Sequence, residues 1–167
     1  MVFLRKILVT TDLSEFSLAA FEYASTASIF FNADIFLLYV NEGSAPGRSK
    51  THSEREPQGH AQHTEEEALK ALKGLIQGSI SSGLKVTPVV RRGAPAEEII
   101  RFAEKEGIDL IVIATHGRTG LRHIMMGSVA EKIVRLSSIP VLSVKPGPFR
   151  DRILKEEDIE SELHLRP

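Results

Sequence analysis

Cysteine is absent from this chain, which excludes disulfide staples, thiolate metal centres and cysteine nucleophiles together. A surplus of either charge is also missing: 21 Lys and Arg face 22 Asp and Glu, for a formal net charge of −1. Nucleic acids and anionic lipids are met by clustered Lys and Arg, so neither is an expected partner. No run approaches the roughly 20 apolar residues that span a bilayer. The opening Met1-Val2-Phe3-Leu4-Arg5-Lys6 sets its charges after a very short apolar run and has no small-residue cleavage site, unlike a secretory signal. A cytoplasmic location is the expectation. Gly-x-x-x-x-Gly-Lys-Ser/Thr, Gly-x-Gly-x-x-Gly and Gly-x-Ser-x-Gly are all lacking, which argues against a Walker NTPase, a dinucleotide site and a serine hydrolase elbow. His52, His60 and His63 share a polar stretch with neither cysteine nor a well-spaced carboxylate, so they read as solvated and not as zinc ligands.

What is present is an ordinary globule of one-domain length: 167 residues, 42% apolar and 26% charged. Five apolar runs read as strands, at Lys6 to Thr10, Ile35 to Val40, Lys85 to Val90, Ile108 to Ala114 and Pro140 to Val144. Several are nearly continuous in Ile, Val and Leu, as expected where helices cover both faces of a parallel sheet. Helical periods separate them. Phe16, Ala19, Ala20, Tyr23, Ala24 and Ala27 form one stripe, with Asp12 as the expected cap and Glu15 three residues on. A second helix is predicted from about Thr64 to Ser81, with Ala68, Leu72, Leu75, Ile76 and Ser79 on one side and Gly74 and Gly78 weakening it. A third opens at Pro95 and carries Ala96, Ile99, Ile100 and Ala103 to a stop at Gly107. The fourth starts at Ser128, with Ala130, Ile133 and Val134 inward, and ends near Ser137-Ser138.

Alternating strand and helix predicts an α/β fold with right-handed crossovers and a parallel sheet. Two segments leave that rhythm. Asn41 to Gln62, rich in Gly, Ser, Pro, His and charge, is long enough for a functional lid. Residues 147–167 form a charged tail with a weak helical pattern, beyond a domain spanning 1–146.

Most of the chemical information lies between the fourth strand and the fourth helix, in Thr115-His116-Gly117-Arg118-Thr119-Gly120-Leu121-Arg122-His123-Ile124-Met125-Met126-Gly127, followed by Ser128-Val129. A glycine-bearing loop at that position offers backbone N–H groups to an anion, and the entrance at Gly127 and Ser128 adds the positive end of a helix. Phosphate is the first ligand to consider. Gly117 and Gly120 read equally well as plain turn residues, and Ser128 as an N-cap. Asp12, at the same sheet edge, suits a ribose hydroxyl, an adenine amine or phosphate-bound Mg²⁺, or simply caps the first helix. Val40 offers an apolar wall for a base or belongs to the core. His116 donates to a ligand or bonds a neighbouring loop carbonyl.

These segments together resemble the universal stress protein family of the UspA type, over roughly residues 3 to 145. The resemblance is densest in Lys6-Ile7-Leu8-Val9-Thr10-Thr11-Asp12-Leu13-Ser14-Glu15, Leu37-Leu38-Tyr39-Val40, Ala114 to Ile133, and Ile139-Pro140-Val141-Leu142-Ser143-Val144. The family's nucleotide-binding subgroup carries Gly-x2-Gly-x9-Gly-Ser/Thr. Its last three positions map onto Gly117, Gly127 and Ser128 with the spacer intact; its first glycine is Ala114 here. Thr10 also stands where the family usually has proline.

The resemblance implies a Rossmann-like fold, similar to adenine nucleotide alpha hydrolases, with five parallel strands in the order 3-2-1-4-5. It implies a homodimer through the last strand, Pro140 to Val144. It also implies a site for ATP, or ADP or AMP, with Mg²⁺ carried on the nucleotide. Residues at that site are Thr11, Asp12, Val40, Ala114, Thr115, His116, Gly117, Arg118, Gly120, Gly127, Ser128 and Val129, with Asp12 touching metal only through the nucleotide and no residue assigned a catalytic role. The functional expectation is a nucleotide-dependent regulator of the stress response. A weak ATPase or phosphoryl-transfer enzyme, and a dimeric interaction module that no longer binds nucleotide, are the alternatives.

Overall fold

The computed structural model describes residues 3–42, 64–79, 83–116 and 126–147, with only the backbone of Gly78 and Ser79. Its elements run β1 (Lys6–Thr11), α1 (Glu15–Phe31), β2 (Asp34–Asn41), α2 (Glu65–Ser79), β3 (Val86–Arg92), α3 (Pro95–Glu106), β4 (Leu110–Ala114), α4 (Ser128–Leu136) and β5 (Val141–Val144). All five strands are parallel in one sheet of order β3-β2-β1-β4-β5, as expected. Beyond Asn41 and Glu42 the proposed lid lies outside the described residues, as do Ser81 and the tail after Gly147.

The continuous Ile/Val/Leu runs have their predicted cause, since both faces of the sheet are covered. On one face Ile7, Val9, Leu37 and Val112 pack with Ala20, Phe21 and Ala24 of α1 and Leu72 of α2. On the other, Leu8, Leu38, Ile111 and Ile113 meet Ile99 and Phe102 of α3 and Ala130 and Ile133 of α4. Each fully buried aliphatic side chain here contributes roughly 1.5–3 kcal/mol.

Local chemistry sets the helix ends. Thr64 and Glu67 close a reciprocal capping box at α2: the Thr64 N–H donates to Glu67 Oε2 at 2.8 Å and the Glu67 N–H to Thr64 Oγ1 at 3.2 Å. Pro95 starts α3 and Gly107 stops it in the left-handed region (φ 63°), where its N–H reaches the Ala103 and Glu104 carbonyls. At α1 the expected cap is corrected. Ser14, not Asp12, is the N-cap, its hydroxyl accepting from the Ser17 N–H.

The inward stripe of α1 is corrected in part: Ala20 and Ala24 are buried, and Ala19 and Ala27 pack against the first cluster, as expected. Its buried positions are Ser17, Ala20, Phe21, Ala24 and Ser28, whereas Tyr23 is 45% exposed. Ser17 and Ser28 enter the core because both hydroxyls are bonded, Ser17 to the Ser14 carbonyl (2.7 Å) and Ser28 to the Ala33 carbonyl (2.6 Å). On α4, Ala130 and Ile133 are buried as expected, but Val134 is 48% exposed, because α4 lies over the end of the sheet and has no helix on its outer side among the described residues.

Candidate functional site

The strand order reverses between β1 and β4, the pair from which consecutive connections leave in opposite directions. Val9 pairs with Val112, and that register continued two residues brings Thr11 level with Ala114. α1 departs from one of these strand ends toward one face, and α4 is entered from the other toward the opposite face. A crevice at this edge is where an open parallel sheet receives ligands.

One wall is the turn from β1 into α1. The Asp12 Oδ1 accepts from both the backbone N–H (3.0 Å) and the hydroxyl (2.6 Å) of Ser14, and Asp12 is half-buried. Leu13 between them has φ 68°, left-handed backbone that a leucine adopts only when its surroundings impose it. The imposition is visible in the Leu13 N–H, which donates to Thr11 Oγ1 at 2.9 Å. Because the single proton of the Ser17 hydroxyl goes to the Ser14 carbonyl, the Thr11 hydroxyl is the donor in its 2.7 Å contact with Ser17 Oγ. Thr11 is therefore buried and spent on the turn itself.

The opposite wall is built from the end of β4 and the start of α4. The Thr115 N–H donates to the Val144 carbonyl (2.8 Å), and the Thr115 carbonyl accepts from the Gly127 N–H (2.7 Å). Thr115 Oγ1 and His116 Nδ1 lie 2.9 Å apart, with the imidazole buried. Gly127 is the N-cap of α4 and supplies no side chain; the expected capping role of Ser128 is corrected to the first helical position, where it is exposed. The Glu131 N–H makes the bond to the Gly127 carbonyl (2.9 Å). The amides of Ser128, Val129 and Ala130 thus precede the first intrahelical bond and have no i−4 carbonyl inside the helix.

Val40 is half-buried at the end of β2 and packs with Val129 and Met126 against the second core cluster, so these side chains share one face. Ala114 belongs to the first cluster and is buried beneath α1, so its methyl group is part of the core. Gly117, Arg118 and Gly120 lie outside the described residues. Sequence reasoning missed Leu13, Ser14 and Ser17. The spacing Asp12-x-Ser14, which suits an Asx-type turn, was the available signal.

The profile of the Universal stress protein family matches residues 4–145. The Methanocaldococcus jannaschii universal stress protein MJ0531 is 37% identical over 147 residues, 84% of this chain and 82% of that protein. A second from the same organism, MJ0577, is 31% identical over 157 residues, 86% and 96% of the two chains. The solved structure of MJ0577 superposes with a TM-score of 0.68 at 28% identity, covering 86% of this chain and 97% of the other. Two more distant structures share the fold. A universal stress protein in complex with cAMP has a TM-score of 0.62 at 21% identity, with 86% and 98% covered. One from Archaeoglobus fulgidus in complex with dAMP has a TM-score of 0.60 at 16% identity, with 87% and 100% covered.

Proposed function

Because the chain belongs to the universal stress protein family, we propose that it is an ATP-binding regulator of the stress response, with its nucleotide in the crevice between the ends of β1 and β4. One observation carries this reading. The three first-turn amides of α4, at the positive end of the helix, stand across the strand-order reversal from the half-buried Asp12. An anion on those amides and a hydroxyl- or amine-bearing nucleoside on the carboxylate are the two halves of a nucleotide. That relatives of this fold are found with cAMP and dAMP supports the adenine nucleotide class.

In this reading Ser128 and Val129, with Gly117, Arg118 and Gly120, receive the phosphates. Asp12 holds the ribose or base edge, Val40 lies against adenine, and Thr11, Thr115 and His116 shape the walls. Ala114 supports retention of the site, since its methyl is packed under α1 and the change from glycine leaves the entrance to α4 clear. Mg²⁺ would arrive with the phosphates, and Asp12 would meet it only through the nucleotide. The role is binding and switching, with no catalytic residue assigned.

The same reading makes β5 the pairing edge of a homodimer in the cytoplasm. β5 ends the sheet, and Leu142, Val134 and Leu136 around it are 39%, 48% and 61% exposed, an apolar border of the kind that seeks a twin. Titration calorimetry with Mg-ATP tests the site, and absence of heat at roughly millimolar nucleotide rejects it. Sedimentation as a monomer alone at micromolar protein removes the dimer.

A further inference from the structure

We propose that Gly127 serves the nucleotide site as a positioning residue and not as a phosphate donor. Its N–H is already committed to the Thr115 carbonyl at 2.7 Å, and Thr115 is held in turn through its own N–H on the Val144 carbonyl. This chain of two backbone bonds ties the mouth of α4 to the ends of β4 and β5. It fixes where the first turn points before any ligand arrives, and it leaves the phosphates to Ser128, Val129 and Ala130. The inference rests on the nucleotide reading above and assigns the work within that site.

The need for glycine follows from the tie. The Gly127 backbone sits at φ −66°, ψ 150°, a conformation open to any residue, so conformational freedom is not what the position demands. Room is. An added Cβ would stand 3.2 Å from the Thr115 carbonyl oxygen, tighter than an ordinary van der Waals contact, so the carbonyl or the helix entrance must give by a few tenths of an ångström. A methyl group there pushes the helix entrance away from β4 and lengthens the bond that aims it.

Residue-resolved amide exchange on the wild-type chain tests the assignment directly. In the absence of nucleotide the Gly127 amide is expected to exchange at least about tenfold more slowly than that of Ser128 and to change little on adding Mg-ATP, while Ser128 and Val129 become protected. A Gly127 amide that exchanges freely until ATP is added overturns the inference. One protected from the start, with no response at Ser128 or Val129, removes the phosphate cradle itself and so defeats the nucleotide reading. Gly127→Ala supplies the second arm: affinity for ATP falls roughly tenfold while affinity for adenosine stays within about twofold. Equal losses for both, or no loss for either, count against a role confined to the phosphates. Should that variant fail to fold, the exchange measurement still decides.

Discussion

The two ends of the sheet use their polar groups in opposite ways. At the N-terminal end, Asp109 Oδ2 accepts from the backbone N–H groups of Arg5 (2.8 Å) and Lys6 (2.9 Å), which are 104 and 103 residues away. Lys6 Nζ reaches the Glu106 carbonyl in the last turn of α3 (2.7 Å), where a cation also complements the helix dipole. These bonds join remote segments. At the C-terminal end the side chains of Thr11, Asp12 and Ser14 bond groups within six residues, Thr115 Oγ1 bonds its neighbour His116 and Leu13 is held at positive φ, while the longer tie there, from Gly127 through Thr115 to Val144, is made by backbone atoms. Short-range bonds do little to close the fold but fix local shape. One end secures the architecture, and the other holds a pre-set edge at some cost in backbone strain.

That contrast is broken most forcefully at Asp109. Asp109→Ala deprives two backbone amides of a charged acceptor and should cost about 3 kcal/mol, lowering Tm by on the order of 10 °C for a chain of this size. Thermal or urea unfolding reads the loss. Nucleotide affinity in calorimetry, measured well below the new Tm, should be unchanged. A variant of normal stability with weakened nucleotide binding would mean that the two ends are not divided as described.

The mirror experiment is Asp12→Ala. Ser14 and not Asp12 caps α1, but the substitution also removes both bonds that Asp12 accepts from Ser14. Stability should therefore fall by about 1–2 kcal/mol, less than at Asp109, while ATP affinity drops by about tenfold or more, the scale of one charged hydrogen bond. Parallel calorimetry and unfolding separate the two quantities. A large stability loss with intact affinity would move Asp12 from the site to the scaffold.

The same contrast explains what could be read from sequence. The strands were legible because Ile7-Leu8-Val9 and Leu110-Ile111-Val112-Ile113 lie between two helical layers, and burial on both faces leaves a continuous apolar run; their order came from the family resemblance and not from these runs. The inward arc of α1 was only partly legible, since Phe16 and Tyr23 offered a competing stripe and the buried Ser17 and Ser28 look like surface residues until their bonds are seen. Asp12 and Ser128 lie at the C-terminal edge of the sheet, as the strand and helix reading places them, but the cap was misassigned because Asp12 and Ser14 are both good capping residues. The Gly127 to Thr115 bond joins backbone atoms, which leave no residue-type signature.

The finest effect expected concerns Leu13, and it is an inversion of order. In ordinary strand or helix backbone, glycine is less favourable than alanine by roughly 0.5–1 kcal/mol because it loses more conformational freedom on folding. At φ 68° alanine retains the left-handed penalty, about 1 kcal/mol, and glycine does not. Leu13 is partly buried against the first core cluster, and both substitutions lose that contact equally, so their difference isolates the backbone term. Leu13→Gly should therefore be the more stable of the two by about 0.5–1 kcal/mol, measurable in urea unfolding with matched slopes. If alanine proves the more stable, the turn relaxes out of the left-handed region when the leucine is removed. The strain at this end of the sheet would then come from the side chain and not from the Thr11 and Asp12 bonds on either side of it.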